Sequence, residues 1–396
     1  MQQLQRLTVA LTFSLMTACG TATCSESTTD NRSGAAAGGD GAWSFSRIGE
    51  PLTLNSSGRA LFANVLLDDD NLIVTYQTAG PDSLTDSKNL YFQTFDRALS
   101  QTAAEDTAIS VNDTSDFDWQ GDLGDHKLLL ADDSIYMVAI LKGHSGAGVM
   151  KFDLDFSYQA GPTFLGNPSM EEESQADMGF TSDGENLYAQ FFSRPAGGPP
   201  DSWRAVIYRL THALESVDSA FVEPETGSFV TGTAIIYVPA GQMNASADRL
   251  QSFSTNRDYG NAQRVGIHTF ASDMTLKLIE GSTRDIVEAE LDTYFPVGPS
   301  FNRKHQLWVV GYTMENEEGE HGAKGQSKEL GPSFIAIFDA DWTLLQTIQI
   351  NEKNPAFRIM TQTEGDDIYV VYDEMDKGGM VTTSRARIER YGIQAP

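Results

Sequence analysis

Cysteine is almost absent from this chain of 396 residues: Cys19 and Cys24 are the only two. That excludes a small domain held together by a disulfide framework. Cations are scarce as well. Lys and Arg number 27 against 55 Asp and Glu, a formal net charge of −28 at pH 7. Removing residues 1–18 takes away only Arg6, which leaves −29. Such a surface repels phosphate backbones and anionic headgroups, so nucleic-acid binding and charge-driven membrane binding are excluded. A metal cation or a basic partner is what this charge would admit. No helical periodicity is sustained; only residues 284–291 could make two turns.

Familiar chemical signatures are missing too. The histidines His126, His144, His212, His268, His305 and His321 are scattered and hold no zinc-type spacing. Residues 143–147, Gly-His-Ser-Gly-Ala, have Ala147 where a nucleophile elbow needs Gly, and they lie between strands. No phosphate-cradling register occurs in residues 315–328. The sialidase Asp-box, the Gly–Trp repeat of quinoprotein propellers, and the WD and NHL signatures are all absent.

What is present begins with an export signal. One cation, Arg6, precedes an apolar run of twelve residues, 7–18, too short to span a bilayer and suited to a secretory signal. Thr17-Ala18-Cys19 resembles the bacterial lipobox, with Met16 where that motif prefers Leu. The resemblance implies cleavage before Cys19 and diacylglycerol and palmitate on that residue. Gly20, in place of an inner-membrane retention Asp, implies the outer membrane. Residues 19–42 then read as a flexible tether rich in Ser, Thr, Gly and Ala. Its roughly 22 free residues have an average reach of about 25 Å.

From residue 43 the chain is a degenerate repeat. Six short apolar strands begin at Leu72, Ile135, Leu187, Leu250, Leu307 and Ile368, with intervals of 63, 52, 63, 57 and 61 residues. Most follow an Asp, Asn and Gly turn, such as Asp132-Asp133-Ser134, the chemistry of tight hairpins. A second strand in each unit ends in an aromatic residue and often Asp, as at Phe95-Asp96, Phe152-Asp153 and Phe338-Asp339. Four antiparallel strands per unit of about 60 residues describe a propeller blade. The sixth unit lacks an outer strand, so residues 43–54 are expected to pair onto it and close the ring. The fold class expected is therefore all-β: one propeller of six four-stranded blades over 43–396. The pattern resembles bacterial six-bladed propeller lipoproteins at the level of architecture.

In such a ring the connections between strands 1–2 and 3–4 share one face, and here they are short. Connections 2–3 and 4–1 share the other, and they are long. The long class carries Asp113, Asp116, Asp118, Trp119, Asp122 and Asp125, then Glu171, Glu172, Glu173 and Asp177, then Asp285, Glu288, Glu290 and Asp292. Loops on a rigid scaffold are where binding concentrates. The ligand-binding candidates are Asp118, Trp119, Asp122, Asp125, Asp177 and Trp203, the two tryptophans as stacking platforms for sugar rings. Asp122, Asp125 and Asp177 are candidate calcium ligands. The expectation is a membrane-anchored binding or scaffold lipoprotein without catalytic residues, its partner a protein or polysaccharide. The alternative is a propeller hydrolase or lyase that uses carboxylates on carbohydrate.

Overall fold

The computed structural model describes residues 42–396 apart from 55–59, 69–70, 79–88, 103–105, 111–122, 142–146, 167–171, 196–203, 223–233, 257–265, 288–292, 295–297, 316–329, 352–353 and 376–384. The chain divides at Ala35/Ala36. The export signal, Cys19 and the tether up to residue 41 lie outside the described residues, which contain no helix long and apolar enough to cross a membrane.

The first strand, β1 (Ser44–Thr53), stands apart in sequence from the sheet it joins. Blade one is β2 (Ala60–Asp68), β3 (Asn71–Thr78), β4 (Asn89–Asp96) and β5 (Asp106–Ser110). Blade two is β6 (Leu123–Ala131), β7 (Ser134–Leu141), β8 (Ala147–Phe152) and β9 (Tyr158–Leu165). Blade three is β10 (Glu172–Ser182), β11 (Leu187–Pro195), β12 (Arg204–Leu210) and β13 (Ser216–Val222). Blade four is β14 (Ala234–Val238), β15 (Arg249–Asn256), β16 (Gly266–Asp273) and β17 (Arg284–Val287). Blade five has its inner strand in two pieces, β18 (Thr293–Tyr294) and β19 (Ser300–Asn302), both paired to β20 (Leu307–Glu315), followed by β21 (Leu330–Phe338) and β22 (Leu344–Ile350). Blade six is β23 (Ala356–Glu364), β24 (Asp367–Glu374) and β25 (Arg385–Gln394), with β1 as its outer strand.

The protein is thus a six-bladed β-propeller closed as the sequence implied. Ser44 faces Gln394, Phe45 faces Ile393 and Thr53 faces Arg387 across the β1–β25 ladder. The expectation of two helical turns over 284–291 is corrected: Arg284–Val287 is the outer strand of blade four, laid against β16. Pairing to a neighbouring edge satisfies its backbone and outweighs the weak local helical pattern.

Most second strands are apolar runs because both faces are covered by a neighbouring blade, and β15, the exception, buries Gln251, Ser252 and Ser254. Leu72, Val74 and Tyr76 pack toward blade six, whereas Ile73 packs toward blade two. Six such cores alternate around the ring. The last, between blades six and one, joins Val65, Leu72 and Val74 to Tyr369, Val371 and Ile388. At the junction of blades four and five, Trp308 is fully buried and stacks on Trp342 at 5.2 Å.

The 3–4 connections repeat one five-residue turn. Asp96, Asp153, Thr211, Asp273 and Asp339 open it, and the residue three further on donates its N–H back to the opening carbonyl at 2.9–3.1 Å. That fourth residue is apolar and left-handed: Leu99, Phe156, Leu214, Leu276 and Trp342 have φ of 64–66°. The opening carboxylate accepts further backbone N–H groups, as Asp339 does from Asp341 and Thr343 at 2.9 and 2.8 Å. Asp132 and Asp133, with φ of 49° and 50°, form the tight β6–β7 turn. These paired acids serve the hairpins. Blade four departs from the expected brevity, since its 1–2 and 3–4 connections take up residues 239–248 and 274–283.

Candidate functional site

The inner strands line the channel, and four consecutive blades break register near the start of that strand. The breaks fall between Phe357 and Met360 in β23, Leu61 and Asn64 in β2, Leu123 and His126 in β6, and Ser174 and Met178 in β10. An extra residue in one strand bends it and re-aims side chains, which is why bulges gather beside active sites. Phe62 and Arg358 occupy equivalent places in two of these breaks, and both are left-handed, with φ of 56° and 53°. Gly124 holds the matching place in β6. A left-handed non-glycine residue costs about 1–2 kcal/mol, so surrounding contacts must impose it.

Those contacts form a buried polar cluster. Asp373, at the end of β24, is fully buried and accepts the N–H of Phe62 at 2.8 Å and of Ala63 at 3.2 Å. The Arg358 guanidinium lies 4.7 Å over the Phe62 ring, a cation–π arrangement. His126 is fully buried, with the Gln77 side-chain amide 2.8 Å from Nδ1 and the Asn64 amide 3.1 Å from Nε2. Both contacts come from amide nitrogens, and a neutral imidazole accepts from a donor at its one unprotonated nitrogen. The ring is thereby held in one orientation.

Beside this cluster Glu374 accepts from Asn354 Nδ2 at 2.7 Å and from Arg387 Nε. Burial works against its charge, but the hydrogen bonds from Arg387 and Asn354 prevail and hold its carboxyl below the usual range.

The sequence candidates divide sharply. Asp118, Trp119, Asp122 and Trp203 lie outside the described residues, as do Asp113, Asp116, Glu171, Glu288, Glu290 and Asp292. Asp125 and Asp177 sit on β6 and β10, inside the register breaks of adjacent blades, with their side chains outside the described residues. The fold therefore carries both positions to the same end of the channel, next to His126. Asp285, by contrast, is exposed on the outer strand of blade four, away from the channel. Among the described residues no group of three or more His, Cys, Asp or Glu is placed to hold a metal ion.

Asn64, Gln77, Arg358 and Asp373 escaped sequence reasoning. The signal available was a polar residue interrupting an apolar strand, as Asn64 does in Ala-Leu-Phe-Ala-Asn-Val-Leu-Leu and Arg358 does in Ala-Phe-Arg-Ile-Met. Other polar residues belong to the scaffold. Asp183 accepts from the N–H groups of Glu185 and Asn186 and from the Tyr188 hydroxyl, all at 2.7–2.8 Å. Asp366 receives Lys304 Nζ at 2.6 Å and lies 2.7 Å from His305 Nε2; those contacts, Lys304 first, lower its pKa.

No family model matches the chain, and no curated protein does. Solved structures share the fold. The GH93 α-L-arabinofuranosidase of Fusarium graminearum with arabinobiose is 12% identical, covers 85% of this chain and 93% of its own, and superposes with a TM-score of 0.53. The same fungus's enzyme with an iminosugar inhibitor gives 13% identity, 87% and 97% coverage and a TM-score of 0.51. The catalytic domain of the Coprinopsis cinerea GH62 α-L-arabinofuranosidase is similar at 11% identity, 89% and 97% coverage and a TM-score of 0.48. The expectation of a non-enzymatic binding or scaffold protein is therefore withdrawn. The solved propellers that superpose on it with TM-scores of 0.51 and 0.53 are glycosidases, and acidity of the long-loop face, a property of charge alone, does not separate a binder from a hydrolase.

Proposed function

We propose that this propeller is a carbohydrate-acting hydrolase whose site lies at the end of the channel where β2, β6, β10 and β23 begin. The observation that carries this reading is the placement of Asp125 and Asp177 in the register breaks of neighbouring inner strands, beside the buried His126, Arg358 and Asp373 cluster. Glycoside hydrolysis needs two carboxyl groups across the scissile bond, one to protonate the leaving oxygen and one to act as nucleophile or base. Asp125 and Asp177 are the pair assigned here. The fixed imidazole of His126 and the clamped turn at Phe62 keep the strand starts rigid, as positioning of a carboxylate pair requires. The glycosidases that share the fold act in the same direction, and an arabinofuranoside is the first substrate to try.

The test is a panel of aryl glycosides that includes 4-nitrophenyl α-L-arabinofuranoside. Wild type should turn over at least one, and Asp125→Asn or Asp177→Asn should lower kcat by roughly 10²-fold or more. Absence of hydrolysis across the panel, or full activity in both variants, removes this reading. Lipidation on Cys19 and display from the outer membrane are part of the proposal, supported by Thr17-Ala18-Cys19 and the Ser/Thr/Gly-rich residues that follow. They would hold the hydrolase at the envelope, within reach of polysaccharide.

A further inference from the structure

Phe62 is out of keeping with the rest of β2. The other large apolar side chains described on that strand join cores between blades, Val65 and Leu67 with blade six and Leu66 with blade two. Phe62 packs into none of the six cores, is only partly exposed, and holds a left-handed φ of 56°. Burial in a core therefore does not account for its strain. Residues held in sparsely populated conformations gather at ligand clamps and active sites, where surrounding contacts impose them.

Here the imposing contacts come from blade six. Asp373 accepts the Phe62 N–H at 2.8 Å, and the Arg358 guanidinium covers one face of the ring at 4.7 Å. No second ring or cation among the described residues stacks on Phe62. The place equivalent to Phe62 in β6 is Gly124, which brings no side chain to the mouth, and Asp125 follows it in the same register break. Three successive blades thus present a cation, an aromatic ring and a gap at one level of the channel. One of the two assigned carboxylate positions adjoins the gap.

We propose that Phe62 is the platform on which a sugar residue of a neutral saccharide stacks at this mouth. A sugar ring carries an apolar face of C–H groups, and laying it on a flat aromatic surface removes both from water. The left-handed turn aims the ring, Asp373 fixes the backbone beneath it, and Arg358 steadies it from behind. A platform fixed before the ligand arrives has little ordering left to undergo on binding. The proposal rests on reading this end of the channel as a saccharide site, and it assigns recognition to a residue distinct from the two carboxylates.

Isothermal titration calorimetry with arabinobiose, xylobiose, cellobiose and galactobiose tests this, using Asp177→Asn protein for any disaccharide that wild type consumes. At least one should bind saturably. Phe62→Leu, which keeps an apolar side chain but loses the flat face, should weaken it roughly five- to tenfold, and Phe62→Tyr should stay within about twofold. Phe62→Gly should bind as weakly as Phe62→Leu yet melt no lower, because glycine adopts the left-handed turn freely. Weak binding in both variants then reports the missing ring and not a damaged fold. Failure of every disaccharide to bind, or wild-type affinity in Phe62→Leu, overturns the proposal. Hydrolysis is scored separately: saccharides bound through Phe62 but never cleaved remove the hydrolytic reading and leave the platform, whereas cleavage with unaltered KM in Phe62→Leu does the reverse.

Discussion

Asp373 at the end of β24 holds the backbone of Phe62 from the next blade, accepting its N–H at 2.8 Å and that of Ala63 at 3.2 Å. Blade six is closed by the first strand of the chain, so this carboxylate ties the last strands to the first blade. It also supplies the force that keeps Phe62 left-handed. Asp373→Ala should cost about 2–4 kcal/mol in urea unfolding, since it removes charge-assisted bonds and leaves two N–H groups buried without an acceptor. Asp373→Asn should recover part of this, because an amide oxygen can accept one of the two. Equal losses below about 1 kcal/mol in both variants would show that the turn is held by something else.

The repeated 3–4 turn sets burial against backbone strain. Leu276 is 1% exposed and belongs to the core between blades three and four, yet its φ is 64°. Truncating a buried Leu costs roughly 2–5 kcal/mol, and a left-handed L-residue costs about 1–2 kcal/mol that Gly avoids. The usual ranking should therefore invert here, with Leu276→Gly less destabilising than Leu276→Ala. Thermal unfolding of the two variants decides it. Alanine as the milder change would mean that the turn relaxes out of the left-handed region.

The sequence revealed the propeller because both faces of a second strand are covered by neighbouring blades, which makes most of these strands apolar. The runs at Leu72, Ile135 and Ile368 are thus continuous where a half-exposed strand would alternate. Ring closure was legible for a related reason: blade six lacked a partner for β25, and residues 43–54 lacked one of their own. The site was harder to read. Asn64 and His126 meet across 62 residues, and Arg358 meets Phe62 across about three quarters of the chain. No local pattern encodes which inner strands will be neighbours at that depth. Loop acidity was visible in the composition, but it followed net charge more than chemistry.

Closure makes a specific demand on β1. Seven residue pairs join it to β25, and Phe45, 5% exposed, reaches the core between blades five and six. A chain beginning at residue 55 loses that ladder and about 2–3 kcal/mol from the aromatic ring alone, and it exposes the β25 edge to other chains. It should melt lower and aggregate in light scattering, whereas a chain beginning at residue 42 should match the full mature protein. Coincident melting curves for the two truncations would contradict β1 as the closing strand.

The layer between blades three and four makes the fold acid-sensitive. His268, 1% exposed, lies 2.8 Å through Nε2 from Ser254 Oγ, close to the bond between Ser252 Oγ and Gln190. Burial pulls its pKa down to about 4 from the ordinary 6.5. In the unfolded chain the imidazole takes up a proton below pH of about 6.5, while the folded protein resists until about 4. The unfolded state therefore binds more protons throughout that window, and stability rises with pH across it. The contribution is fully present above about pH 6.5 and is lost as pH falls toward 4. A displacement of two to three pH units corresponds to roughly 3 kcal/mol. Replacing the ring by an amide that does not titrate, as in His268→Gln, should flatten this part of the profile even if the variant is less stable at pH 7. Urea unfolding at half-unit steps from pH 7.5 to 4 measures the difference between the two proteins, which cancels the carboxylates they share. If the two curves run parallel from pH 6.5 to 4, His268 is already protonated in the folded state, and the acid lability must come from another group.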